Sequence, residues 1–340
     1  MAEGGRGDGR AGQLKMAGNL RISRIATVVF CGVAILLPIS HAQTYPAKPV
    51  KIVVPFPPAG AVDIVGRVLG EKLAQSMGQP FVVENRAGAG GIVGSEAVAR
   101  AAPDGYTLLM GTTGTHTTNP AVFAKLPYDP VKDFAPLSLL AEFPLLLIVG
   151  GEQPVKSVKE LVEYGRANPK LANYASSATP FQLAAELFNQ RTDSKFQHIP
   201  FRGSGDMAQA VMSGQVLMAF ADSGPIVGPL KAGRLRALGI TTVRRQPDFP
   251  DVPTMAESGV SDMEISLWTG LVAPAGTPAE VQAMLQDAVV DTLEMPVVKE
   301  AMDAISVDAR GTSSKEFAEI IVRDIARWKA VAAKANIKIE

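Results

Sequence analysis

Short apolar runs alternate with helix-period segments along most of this 340-residue chain, and that alternation restricts the fold more than any other feature. Runs at 50–54, 81–84, 106–110, 145–149, 174–175, 198–201, 217–221, 235–241 and 267–273 read as strands. Between them, 63–77, 92–101, 157–167, 182–190, 207–212 and 225–232 read as helices, and further helices start at 278, 297 and 314. Such alternation means parallel sheets with right-handed crossovers. The units are too many for one sheet, so the expected class is α/β with two doubly wound lobes. Neither junction is a Gly/Ser linker: AEFPLLLIV near 141–149 and EISLWTGLVAP near 264–274 both read as strands. Two extended crossings give a hinged body with a ligand cleft. Lobe 1 takes 43–143 plus 268–340, and lobe 2 takes 144–267.

The first 42 residues read as an export signal. Arg21 and Arg24 precede the apolar run IATVVFCGVAILLPIS, and Ser40-His41-Ala42 supplies small residues where cleavage needs them. A membrane anchor is the competing reading, but the run is shorter than the ~20 residues that span a bilayer. The Gly- and charge-rich segment before Met16 suits neither, so Met16 is read as the true start. Cleavage leaves 298 of the 340 residues, and the balance of 33 basic against 33 acidic becomes 28 against 31, or −3. That gives no basic surface for nucleic acid or an anionic membrane. The one cysteine, Cys31, leaves with the signal, so no disulfide or cysteine-based metal site is expected. The mature chain reads as a soluble monomer of the bacterial periplasm.

In open parallel sheets, ligands bind beyond the carboxyl ends of the strands. The loops predicted there are PFPPAGAVD (55–63), GTTGTHTTNP (111–120), SSATPFQ (176–182), RGSGD (202–206) and ADSGP (221–225). Backbone N–H groups and hydroxyls at helix starts hold anions, although the same residues are also ordinary turn and cap formers. Pro55, Pro57 and Pro58 stiffen the first loop and leave the amides of Phe56, Ala59, Gly60 and Ala61 as its expected donors. No nucleophile elbow and no phosphate-binding P-loop occurs. Gly88 to Gly94 imitates a dinucleotide fingerprint, but the next strand does not end in the acidic residue that would hold a ribose. His198 reads as packed within a strand, and His116 as either a ligand contact or a scaffold of its loop. Neither catalysis, metal nor cofactor is expected.

YPAKPVKIVVPFPPAGAVD, GQPFVVENRAGAGG, AAPDGYTLLMGTTGTH, LPYDPVKDFAPLSLLA, KAGRLRALGITTVRR, PDVPTMAESG and GLVAPAGTP, taken in order, closely resemble the Bug-type receptors of tripartite tricarboxylate transporters. The resemblance implies a type II-like periplasmic binding fold whose lobes close on a small carboxylate. It implies delivery to membrane permease subunits, with a sensor protein as an alternative partner. On matching positions, Phe56, Pro57, Pro58, Ala59, Gly60 and Asp63 with Gly111, Thr112, Thr113, Thr115 and His116 form lobe 1's half of the site. Ser176, Ser177 and Thr179, then Arg202, Gly203 and Ser204, then Asp222 and Ser223 form the other half. Amides, hydroxyls and waters, rather than an arginine, hold the carboxylate.

Two departures stand out. Ala59 replaces the first glycine of a usual pair, and the loop after Tyr174 is shorter, with Pro180 and Phe181 where polar groups are usual. Phe181 either faces the cleft, favouring a ligand with an aromatic or apolar body, or packs between helix and sheet. Asp63 either caps the first helix turn or meets a ligand amino group. An enzyme on the same scaffold is the remaining alternative, but Asp63, His116, Arg202 and Asp222 compose no recognisable triad.

Overall fold

The computed structural model describes Met1 and residues 45–339, and the expected export signal lies outside them. In chain order the strands are β1 (Val50–Val54), β2 (Phe81–Asn85), β3 (Thr107–Thr112), β4 (Phe134–Pro144), β5 (Leu146–Gly150), β6 (Asn173–Ser176), β7 (Gln197–Pro200), β8 (Met218–Ala221), β9 (Leu235–Ile240), β10 (Ser266–Pro274) and β11 (Asp308–Ala309). The helices are α1 (Ala61–Met77), α2 (Ile92–Ala99), α3 (Asn119–Val122), α4 (Val158–Ala167), α5 (Thr179–Thr192), α6 (Ser204–Met212), α7 (Val227–Lys231), α8 (Ala279–Glu294), α9 (Pro296–Asp303) and α10 (Ser314–Lys334). A π-helical turn, Gly114–Thr118, leads into α3. Among the described residues no helix is long and apolar enough to cross a membrane.

The strands form two sheets, ordered β11-β4-β10-β3-β1-β2 and β7-β6-β8-β5-β9. Both are mixed rather than all-parallel. β1 pairs in parallel with β2 and β3, and β6 with β7 and β8. β10 runs antiparallel to β3 and β4, and β5 antiparallel to β8 and β9. Besides the two-residue β11, antiparallel to β4, the exceptions are the two strands that enter a lobe from the other one. Each starts at the junction and runs outward, whereas β1, β3, β6 and β8 run towards it. Only Leu145 separates β4 from β5.

Double-sided burial explains the continuous apolar runs. Along β5, Leu147 and Val149 enter one core with Tyr174, Phe188 and Phe220. Leu146 and Ile148 enter another, with Met207, Val211 and Ile226. In the first sheet Val50, Ile52 and Val54 pack under α1 and α8, while Val53 and Leu109 face the other side with Trp268.

α10 serves both lobes. Phe317 and Ile321 pack with Trp268 and Val272 in lobe 1, whereas Trp328, Val331 and Ala332 belong to the core that holds Phe188 and Tyr174. Gln190 on α5 donates to the Val331 carbonyl at 3.0 Å. Trp328 is only 2 % exposed, so Trp328→Ala should cost about 3–5 kcal/mol in urea unfolding. A loss below ~1 kcal/mol would show that lobe 2 does not depend on this helix.

Candidate functional site

The first wall is the loop between β1 and α1. Pro57, Pro58, Ala59 and Gly60 are exposed and Phe56 is half-buried. Asp63, buried in the first turn of α1, organises them. Its Oδ2 accepts from the Ala59 amide at 2.9 Å and Arg67 Nε at 3.0 Å. Its Oδ1 accepts from Arg67 Nη2 at 3.0 Å and Asn85 Nδ2 at 2.8 Å. Burial opposes ionisation of this carboxyl, but the hydrogen bonds from Arg67, Ala59 and Asn85 outweigh it and hold the group below the usual carboxylate range. Asn85 Nδ2 also reaches the Phe56 carbonyl at 3.1 Å.

Two consequences follow for the expected donors. The Ala59 amide is already taken, so it is not free for a ligand. The amides of Gly60 and Ala61 make no hydrogen bond within the described chain, and α1 begins at Gly60 without a side-chain cap. Ala59 itself sits at φ 69°, the left-handed region, which costs a non-glycine residue roughly 1–2 kcal/mol.

The glycine-rich segment after β2 joins this wall, a role that the sequence reading missed. A Cβ at Gly94 would lie 2.8 Å from the Arg86 carbonyl and 2.9 Å from Pro55 Cα. Gly91, at φ 90°, leaves room for Thr115, whose Cγ2 would lie 2.6 Å from an added Cβ. The run of glycines was the available clue: it marks close loop contact, not a nucleotide.

The second loop, 111–119, lies deeper than expected. Thr112, Thr113, Thr115 and His116 are all buried. The Thr112 amide donates to Thr115 Oγ1 at 3.0 Å, the Trp268 amide to Thr113 Oγ1 at 2.7 Å, and the Tyr128 hydroxyl to the Thr115 carbonyl at 2.8 Å. Gly111 presses against the His116 ring, and its carbonyl accepts from Thr269 Oγ1 at 3.1 Å. His116 is fully enclosed, 4.8 Å from the Phe134 ring centre, with Nδ1 2.9 Å from Thr115 Oγ1. Its Nε2 has no partner among the described residues. Of the two readings of His116, the geometry is that of a loop scaffold.

Opposite stand the lobe 2 loops. Ser177 Oγ is 3.2 Å from Ser204 Oγ, which draws the starts of α5 and α6 together. Ser176 Oγ is 2.7 Å from His198 Nε2, and that ring stacks on Tyr174. α5 begins at Ala178 and α6 at Gly203, both without a side-chain cap. Of the helices that start at the far ends of the lobes, α4 and α10 are capped by Ser157 and Ser313, whereas α8 has no side-chain cap. Arg202 is exposed and Ser223 buried. Asp222 Oδ1 is buried with no partner among the described residues, and burial pushes this carboxyl up. Phe181 is 7 % exposed and packs in the lobe 2 core. Its ring therefore offers no aromatic face to the cleft, which removes the sequence-based argument for an aromatic ligand.

The walls meet on one side. Thr118 Oγ1 lies 2.8 Å from Thr179 Oγ1, Thr179 donates to Asn119 Oδ1 at 3.0 Å, and Asn119 Nδ2 donates to the Gly90 carbonyl at 3.1 Å. Thr179 thus joins the lobes. Among the described residues no cluster of three His, Cys, Asp or Glu could hold a metal ion. Unpaired N–H groups at facing helix starts can attract a small anion.

Enclosure of His116 has a measurable consequence. Burial lowers its pKa from 6.5 to about 3. Below 6.5 the unfolded chain takes up a proton that the folded chain refuses, so stability present above that pH is lost as pH falls towards 3. The slope is about 1.4 kcal/mol per pH unit, or about 2 kcal/mol between roughly pH 7 and pH 5. Urea unfolding should show this loss in the parent beyond that of His116→Gln; equal losses would contradict it.

Residues 65–337 match the family described as "Tripartite tricarboxylate transporter family receptor" (TctC). BugT of Bordetella pertussis is 33 % identical over 323 residues, covering 94 % of this chain and 99 % of that protein. A structure described as "R. palustris Rpa4515 with adipate" superposes with a TM-score of 0.79 at 34 % identity, covering 86 % of this chain and 99 % of the other. MatC from Rhodopseudomonas palustris, with bound malate, gives 0.75 at 34 % identity, with coverage of 84 % and 99 %. The chain belongs to the TctC family of Bug-type periplasmic binding proteins, receptors that bind solutes rather than transform them.

Proposed function

We propose that this protein is a periplasmic receptor that captures a small carboxylate between its lobes, 43–143 plus 268–340 and 144–267. It hands that carboxylate to a tripartite tricarboxylate-type permease. The observation that carries this reading is the set of uncapped helix starts that follow strand ends in both lobes, α1 in lobe 1 and α5 and α6 in lobe 2. The Ser177–Ser204 contact draws the α5 and α6 starts together, and the Thr118–Thr179 contact ties the α5 start to the 111–119 loop of lobe 1. Carboxylate oxygens accept from such amides directly or through water. Adipate and malate in two structural neighbours support the ligand class. The apolar run at 25–40, read as an export signal, and the periplasmic relatives support the location.

In this reading Asp63 is a scaffold, because both its oxygens are occupied within lobe 1. Thr112, Thr113, Thr115 and His116 support the wall from behind. The residues that touch the ligand are those at the helix starts: Gly60 and Ala61, Ser177 to Thr179, and Gly203 to Gly205.

Ala61→Pro tests the amide mechanism. Ala61 is the first residue of α1, where proline is tolerated, and Gly60 before it is extended at φ −80°, ψ 165°. The substitution deletes one N–H while keeping the helix. A lost hydrogen bond to a charged group is worth about 1.5–3 kcal/mol. Calorimetric titration with succinate, malate and adipate should therefore show at least about a tenfold rise in Kd, with Tm nearly unchanged. Unaltered affinity for an acid that the parent binds would overturn this assignment.

A further inference from the structure

A groove of about 720 Å³ is lined in part by Ser223 and Gly224, in the loop that follows β8. Lobe 2 supplies Val227 and Leu230 from α7 and Phe249 and Val252 from the segment after β9. Lobe 1 supplies Ile305, from the turn between α9 and β11. α7 buries none of its five residues, and Val227, Leu230, Phe249, Val252 and Ile305 are all only half-covered. Five partly wetted apolar side chains around one concave space are uncommon on a protein surface, and a pocket of this size suits a small organic molecule.

The charges at the groove do not favour a second anion. Arg236 is occupied, donating to the carbonyls of Gly151, Gln153 and Val155 at 2.9, 3.1 and 2.8 Å. Lys231 is outnumbered by Asp248, Asp251 and Asp303. An uncharged, apolar occupant fits better.

We propose that the groove receives the apolar body of the same carboxylate whose charged end is held at the helix starts, so that the ligand is an acid with an extended hydrocarbon portion. The groove shares Ser223 and Gly224 with the loop at the cleft, and the Gly224 amide makes no hydrogen bond within the described chain. Both lobes line it, so closure around the charged end also covers the body. This rests on the carboxylate reading of the cleft and adds to it the class of acid.

The test is calorimetric titration of acetate, butanoate, hexanoate and octanoate into the parent, Val227→Ser and Ile305→Ser, with folding checked by circular dichroism. Each buried methylene should tighten binding about fourfold. Kd should therefore fall steadily with chain length in the parent. Both variants should flatten that dependence while binding acetate as the parent does. Two variants from opposite lobes keep the test valid if one fails to fold. Equal chain-length dependence in parent and variants would overturn the groove, as would no gain from acetate to octanoate in the parent. Failure of every acid, together with succinate, malate and adipate, to bind the parent would instead overturn the carboxylate reading and the groove with it.

Discussion

The shared burial of α10 is the constraint on which the two-lobe arrangement rests. One helix commits Phe317 and Ile321 to lobe 1 and Trp328 and Val331 to lobe 2, so the lobes cannot separate along that side without exposing both cores. The Thr118–Thr179 bond and the Gln190 bond to the Val331 carbonyl lie on the same side. Freedom is left at the groove where the end of α9 in lobe 1 faces α7 of lobe 2. There the helix starts are uncapped and the apolar groove is half-covered. A seam on one side and a gap on the other is the geometry that a closing receptor needs.

At the gap, the chain places backbone dipoles and keeps side-chain charge busy elsewhere. Arg67 is occupied by Asp63, and Asp63 is neutralised in turn by donors from three directions. A buried carboxylate so near the proposed anion site would repel the ligand if it were bare; paired, it fixes the loop and leaves the field of the α1 start available. Backbone donors also place little demand on ligand shape, because they lie at fixed points of the fold and do not have to be ordered on binding. Under the proposed carboxylate reading, discrimination among acids falls to the surfaces beside the amides.

The strand–helix alternation was legible because two-sided burial leaves short continuous apolar runs that few other structures produce. The loops at the strand ends were legible for a related reason, since Gly, Ser, Thr and Pro gather where strands turn into helices. Strand direction was not legible. β5 and β10 are apolar like the strands beside them, and only the route of the chain between lobes makes them antiparallel to those strands. β4 was read only in part, since Pro136 and Ser138 interrupt the apolar run at its start. β11 has two residues, too few for any period to show.

Depth was the second thing hidden. Thr112, Thr115 and His116 look like ligand groups because they are polar and lie in a glycine-rich loop, yet they bond to one another beneath the surface. Phe181 looked like a ligand contact because it replaced polar residues, yet its place in the first turn of α5 turns it into the core. A strand-end loop must both close its own backbone hydrogen bonds and present free ones, and threonine serves the first need as readily as the second. Side-chain type marks the loop, while solvent contact decides which of its groups can meet a ligand. On that criterion the proposed reading gives recognition to Gly60 and Ala61 and to the starts of α5 and α6, while the more chemically suggestive 111–118 segment, buried and bonded within itself, supports them from behind.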